Sequence, residues 1–203
     1  MADRAIFLDR DGVINVDRGY THRIEDFRFI DGSVDALALL QSAGWRLVVV
    51  TNQSGIARGL YSSDDYERFT AHLRAQLQAS GVHLDAVLHC PHLPGAAVAA
   101  HRLACDCRKP APGMLLRAAR ELALDLQASV MVGDRLSDVQ AGRSAGLGCC
   151  VLVRSGQPLD AEEVRLADAV FDDLAAFART LVSQNGSKSQ RRDTPPSQGP
   201  QPG

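Results

Sequence analysis

The chain lacks any run approaching the ~20 consecutive apolar residues that a membrane-spanning helix needs, which argues against an integral membrane function. Its first residues, MADRAIFLDRDG, carry charges where a secretory signal would carry its apolar stretch, so a cytoplasmic protein is expected. Aromatic residues make up only 5% of the chain, and the formal net charge of -2 supplies no basic field. Stacking platforms and cationic grooves for nucleic acid, and docking onto anionic membrane, are therefore not expected. Cysteine is sparse and odd in number, five in all, which disfavours a disulfide framework. No internal repeat is present, so a solenoid is not expected.

What the 203 residues do contain suits a single domain: 45% are hydrophobic and 23% charged. Short apolar runs rich in β-branched residues alternate with amphipathic stretches. The runs predict strands at Ala5 to Leu8, Leu47 to Thr51, Ala86 to Cys90, Val130 to Val132, Cys149 to Val153 and Ala169 to Phe171. Cys149 and Cys150 fall inside one of them and read as strand core. Helices are predicted over Ser33 to Ala43, Ser63 to Ser80, Gly113 to Ala123, Leu136 to Ala145 and Asp172 to Leu181, several closed by glycine. This β-α order predicts an α/β fold, a doubly wound and mostly parallel sheet that binds ligands at the strands' carboxyl ends. From about Ser183 the chain turns to Ser, Gln, Pro and Gly, predicting a domain over 1–183 and a disordered polar tail over 184–203.

Chemistry-bearing residues follow the strands. Asp9 and Asp11 end the first, in FLDRDG, where the bland alternative is a turn or surface pair. Thr51, Asn52, Gln53 and Ser54 end the second and offer donors able to cradle a phosphoryl group. Arg108 and Lys109 place two cations before a helix, suited to phosphoryl oxygens. Asp134 and Asp138 follow the fourth strand; Asp9, Asp134 and a backbone carbonyl could hold Mg²⁺, an oxygen-seeking ion. Asp138 either orients Lys109 or a metal-bound water, or places a charge at a helix start.

Three of the five cysteines lie between Cys90 and Cys107. Cys90, His92, Cys105 and Cys107 make a full tetrahedral set for structural Zn²⁺, with His83, His89 and His101 as alternative imidazoles. Such a closed site would pin its loop and fix Arg108 and Lys109 relative to the sheet.

In this order the four strand-end motifs resemble those of the haloacid dehalogenase (HAD) superfamily of phosphatases, over roughly residues 5 to 153. The resemblance implies Asp9 as nucleophile, Asp11 as general acid and then base, and Thr51 and Lys109 as phosphate stabilisers. It implies Asp9, the Asp11 carbonyl and Asp134 as Mg²⁺ ligands. The pattern CPH, a long spacer and CDCRKP is similar to two zinc-loop groups, the D-glycero-D-manno-heptose 1,7-bisphosphate 7-phosphatases and the histidinol-phosphatases. It favours His92 as the imidazole ligand. The long spacer, FLDRDGVIN, TNQSGIARG and CRKPAPGML bring the chain nearer the heptose group.

That similarity implies a site lined by Asp17, Arg18, Gly19, Tyr20, Asn52, Gln53, Ser54, Arg108 and Arg135, the last standing where a lysine is expected. No insertion long enough for a separate cap domain is present. The expected reaction is hydrolysis of the 7-phosphate of the heptose bisphosphate through an aspartyl-phosphate, in the supply of ADP- or GDP-heptose precursors for lipopolysaccharide. The alternatives are a histidinol-phosphatase, a non-catalytic zinc-stapled binding protein, or a nucleic-acid 3′-phosphatase. A small sugar phosphate is the expected partner, and a monomer the default state.

Overall fold

The computed structural model describes residues 2–190. Six strands, β1 (Ala5–Leu8), β2 (Arg46–Asn52), β3 (Ala86–Cys90), β4 (Val130–Gly133), β5 (Cys149–Val153) and β6 (Ala169–Phe171), form one sheet in the order β3-β2-β1-β4-β5-β6. Every pairing is parallel. Among the described residues, seven α-helices flank the sheet: α1 (Ser33–Ser42), α2 (Ser54–Arg58), α3 (Ser63–Ala79), α4 (Gly113–Leu122), α5 (Leu136–Ala145), α6 (Ala161–Leu166) and α7 (Leu174–Gln190).

The unbroken apolar runs make sense because both faces of the sheet are covered. Along each strand, alternate residues serve opposite layers. Ile6, Leu8, Leu47, Val49, Val130 and Val132 pack with Leu37, Leu40, Phe69, Leu73 and Phe177, from α1, α3 and α7. Ala5, Phe7, Val48, Val50, Met131 and Cys150 pack with Met114, Leu115, Val139 and Ala141, from α4 and α5. Cys150 is thus a core residue of the second layer.

Local signals account for the helix boundaries. Ser62 Oγ accepts the Asp65 N–H at 3.1 Å and Asp65 Oδ2 accepts the Ser62 N–H at 2.8 Å, a reciprocal cap that starts α3. Its buried Tyr66, Phe69, Leu73 and Leu77 recur at helical spacing on one face.

Two helices go beyond the sequence expectation. α2 and α6 are too short for a periodic apolar pattern to announce them. α7 begins at Leu174, where Asp173 Oδ1 accepts the Ala176 N–H at 2.7 Å, and extends past the expected end at Leu181 and the expected domain boundary at 183. The part of the expected tail over 191–203 lies outside the described residues.

Candidate active site

The chain builds the sheet outward from β1 to β3 and then returns to place β4 on the other side of β1. Loops leaving the carboxyl ends of β1 and β4 therefore diverge and leave a crevice, the switch point at which parallel sheets bind ligands. Asp9 and Asp134 leave these two strands side by side, and Asp9 N–H donates to the Val132 carbonyl at 3.0 Å. Gly12, at φ +85°, allows the returning loop to lie against the Asp134 carboxylate, where a side chain would collide. Gly133 likewise leaves room for Asp138.

Three buried carboxylates, Asp9, Asp134 and Asp138, converge with oxygens within 4.8 Å of one another. Lys109 enters this cluster fully buried, its Nζ 2.6 Å from Asp138 Oδ1 and 3.2 Å from Asp9 Oδ1, and donates to the Val50 carbonyl at 2.8 Å. Burial alone would pull its ammonium down, but Asp138 and Asp9 outweigh burial and raise it. One cation does not balance three carboxylates. Burial, then repulsion from Asp138 and Asp11, lifts Asp9 to about 6 against the opposing pull of Lys109. Burial, then Asp9 and Asp138, lifts Asp134 to about 8. Asp134 Oδ2 accepts the Gln157 N–H at 3.0 Å, whereas its buried Oδ1 makes no hydrogen bond among the described residues. Excess negative charge and a carboxylate oxygen that meets only Arg135 Nε, at 3.9 Å and without a hydrogen bond, fit a hard divalent cation at this place.

Asp11 accepts from three side chains among the described residues. Arg10 Nη2 lies 2.8 Å from its Oδ2, Asn15 Nδ2 donates to Oδ1 at 2.8 Å, and Gln53 Nε2 donates to Oδ2 at 3.0 Å. Asn52 forms a two-way clamp on the Lys109 backbone: its Nδ2 donates to the carbonyl at 3.0 Å and its Oδ1 accepts the N–H at 3.1 Å.

Asp9, Asp11, Thr51, Asn52, Gln53 and Lys109 line a cavity of about 480 Å³ with Asp17, Gly19, Tyr20, Ser54 and Arg108. At its mouth Asp17 Oδ2 meets Arg135 Nη2 at 3.3 Å and Gln157 Nε2 at 3.0 Å. Arg18 is the exception among the expected contacts. Asp17 Oδ1 accepts the Gly19 N–H at 2.8 Å, a tight turn that faces Asp17 inward and leaves Arg18 exposed, outside the lining. Tyr61, Ser137 and Gln157 line the cavity without having been anticipated.

A family model described as HAD-hydrolase-like matches residues 106–177. A D-glycero-β-D-manno-heptose-1,7-bisphosphate 7-phosphatase of Photorhabdus laumondii is 47% identical over 87% of this chain and 94% of its own. One of Escherichia coli K12 is 49% identical over 89% of this chain and 94% of its own. The chain belongs to this HAD-like phosphatase family. The crystal structure of a D,D-heptose 1,7-bisphosphate phosphatase from B. bronchiseptica, complexed with magnesium and phosphate, superposes with a TM-score of 0.76 at 35% identity, covering 89% of this chain and 99% of that one.

The second cluster of this family member starts at Cys90, the last residue of β3, and continues in the loop that follows. Cys90, His92, Cys105 and Cys107 converge, with Sγ separations of 3.1 Å for Cys105–Cys107, 3.2 Å for Cys90–Cys107 and 3.5 Å for Cys90–Cys105. His92 Nδ1 stands 3.4 Å from Cys107 Sγ. A tetrahedron of zinc–sulfur bonds has edges of about 3.8 Å, so the set fits Zn²⁺ with a slight outward adjustment. Of the alternative imidazoles, His89 instead stacks on Tyr66 at 3.9 Å between ring centroids. The loop also reaches the crevice: Arg108 Nη1 donates to the His92 carbonyl at 3.4 Å.

Proposed function

We propose that the protein hydrolyses the 7-phosphate of D-glycero-β-D-manno-heptose 1,7-bisphosphate through a phosphoryl ester on Asp9, supplying precursors of activated heptose. The observation that carries this reading is the convergence of Asp9 with Lys109 and with the buried Asp134, where Asp9 and Lys109 line a cavity whose walls bear Arg108 and Arg135. The identity to the named heptose phosphatases supports the choice of sugar and anomer.

Asp9, Asp134 and the Asp11 carbonyl would hold Mg²⁺, which when bound neutralises charge between the attacking carboxylate and the phosphoryl oxygens. Asp9 displaces the sugar oxygen from phosphorus, and water then displaces Asp9, so that one difficult transfer becomes two easier ones. Lys109 and the Thr51 hydroxyl bind phosphoryl oxygens as charge shifts onto them. Asp11 protonates the departing sugar oxygen and afterwards takes a proton from the attacking water. Its present donors suit the second task; the first requires the carboxyl group to turn toward the substrate. Arg108 and Arg135 suit the second phosphate, with Asp17 and Gln157 facing sugar hydroxyls. Cys90, His92, Cys105 and Cys107 would hold a structural Zn²⁺, which would fix the loop that carries Arg108.

The test compares phosphate release from the α and β heptose 1,7-bisphosphates and from histidinol phosphate, with and without Mg²⁺. The β bisphosphate is expected to give the highest kcat/KM, in a magnesium-dependent reaction. Faster release from histidinol phosphate would replace the substrate assignment, and no release from any of the three would overturn the reading.

A further inference from the structure

Gln53 lines the cavity, yet its bonding capacity is already consumed. Its backbone N–H donates to the Cys90 carbonyl at 2.8 Å, and its carbonyl accepts the Ile56 N–H at 3.2 Å. Its side-chain oxygen, Oε1, accepts from Tyr61 Oη at 2.6 Å and from Arg10 Nη2 at 3.3 Å. Its nitrogen, Nε2, donates to Thr51 Oγ1 at 2.9 Å and to Asp11 Oδ2 at 3.0 Å. A primary amide has two lone-pair directions and two hydrogens, and all four are in use. Only 3% of the residue is exposed.

Arg10 settles which end of this amide is which. A guanidinium has donors and no acceptor, so the Gln53 atom beside it must be the oxygen. Arg10 cannot easily move away: it is 1% exposed, lies over the Phe69 ring at 4.5 Å, and donates to the Thr21 carbonyl at 3.0 Å. With Oε1 so assigned, the Tyr61 hydroxyl must donate and Nε2 must face Thr51. The Thr51 oxygen then accepts from Gln53, and its own hydrogen is left for the cavity.

We propose that Gln53 is a positioning residue, not a substrate contact, and that Arg10 and Tyr61 hold its amide so that the Thr51 hydroxyl points its hydrogen at the transferring phosphoryl group. This rests on the phosphatase reading of the site and adds to it a direction for each hydrogen bond. The same amide bonds both Asp11 and Thr51, so it fixes the proton-transfer group relative to the hydroxyl that binds the phosphoryl oxygens.

Tyr61→Phe removes the hydroxyl and keeps the ring that packs on Gly55 and stacks with His22. A positioning role predicts a fall in kcat of about tenfold with KM within about twofold, as expected for a neutral hydrogen bond that matters in the transition state. Gln53→Met should lower kcat by about ten- to a hundredfold, again with little change in KM. A rise in KM at unchanged kcat in either variant would overturn the proposal by making the residue a binding contact; so would an unchanged kcat in Tyr61→Phe. Melting temperatures measured alongside separate this from unfolding, and Tyr61→Phe decides the matter if Gln53→Met does not fold. Running the same series on p-nitrophenyl phosphate keeps the two readings apart. Wild-type turnover of that ester without turnover of the heptose bisphosphate would reject the substrate assignment, while the Tyr61→Phe comparison still tests the amide.

Discussion

Replacing Asp134 by asparagine should stabilise the magnesium-free protein while destroying its response to magnesium. Asp134 is wholly buried, and burial with Asp9 and Asp138 lifts it from 3.8 to about 8. Because the folded value lies above the unfolded one, the folded state holds a proton that the unfolded chain has lost between about pH 4 and pH 8. Stability present below pH 4 is therefore lost progressively as the pH rises through that window. At pH 7 the linked cost has a ceiling of about 4 kcal/mol, from about three units at 1.36 kcal/mol each. An asparagine keeps an oxygen for the Gln157 N–H but must bury an amide, costing about 1–3 kcal/mol where it is poorly paired. The net expectation is a gain of about 2 kcal/mol, or about 5 °C in Tm for a domain of this size. Thermal unfolding from pH 5 to pH 8, in magnesium-free buffer with zinc retained, reads it directly. The wild-type Tm should fall with pH more steeply than that of the Asp134→Asn protein, and added Mg²⁺ should raise only the wild type, more at pH 8 than at pH 5. A lower Tm for the variant at pH 7.5, or parallel pH profiles, would refute the idea that burying a charged Asp134 beside Asp9 and Asp138 limits the metal-free state.

Asp9→Asn should abolish phosphate release and leave Tm and zinc content near wild type; appreciable turnover by purified variant would contradict covalent attack by Asp9. Asp138→Asn weakens the hold on Lys109, whose Nζ lies 2.6 Å from Asp138; steady-state kinetics should show kcat reduced by about tenfold or more, and full activity would show that Asp9 and the Val50 carbonyl suffice to orient Lys109. Cys107→Ser should lower bound zinc, measured by elemental analysis, and cut Tm, because the loop loses the site that ties its ends together. A fully active, equally stable protein without zinc would exclude a structural metal there.

The strand ends carrying Asp9, Thr51 and Asp134 could be read from the chain because short β-branched runs alternate with capped amphipathic helices, and that order puts every strand end on one edge of the sheet. The cluster of Cys90, His92, Cys105 and Cys107 was legible for a similar reason: three thiols and an imidazole close together in the chain make up a full tetrahedral ligand set. Asp138 could be assigned to a helix start or to Lys109 from sequence alone, and the fold allows both: its Oδ2 accepts the Arg135 N–H at 3.1 Å while its Oδ1 faces Lys109.

Other features depend on partners far apart in the chain. Gln157 reaches Asp17 across the crevice only because β5 lies beside β4, and nothing local to either residue encodes that meeting. Arg18 and Asp17 are adjacent and both polar, yet one turn sends them in opposite directions. The orientation of the Gln53 amide is the clearest case. Residue type puts an amide after β2, but which of its ends faces Thr51 is decided by a buried guanidinium and a tyrosine hydroxyl arriving from elsewhere. Sequence by itself determined which chemical groups the site owns and the order in which strands present them, because those follow from local pattern and sheet topology. The direction of each proton and the charge state of each carboxylate were left to tertiary structure, because hydrogen-bond polarity and burial are properties of the assembled neighbours.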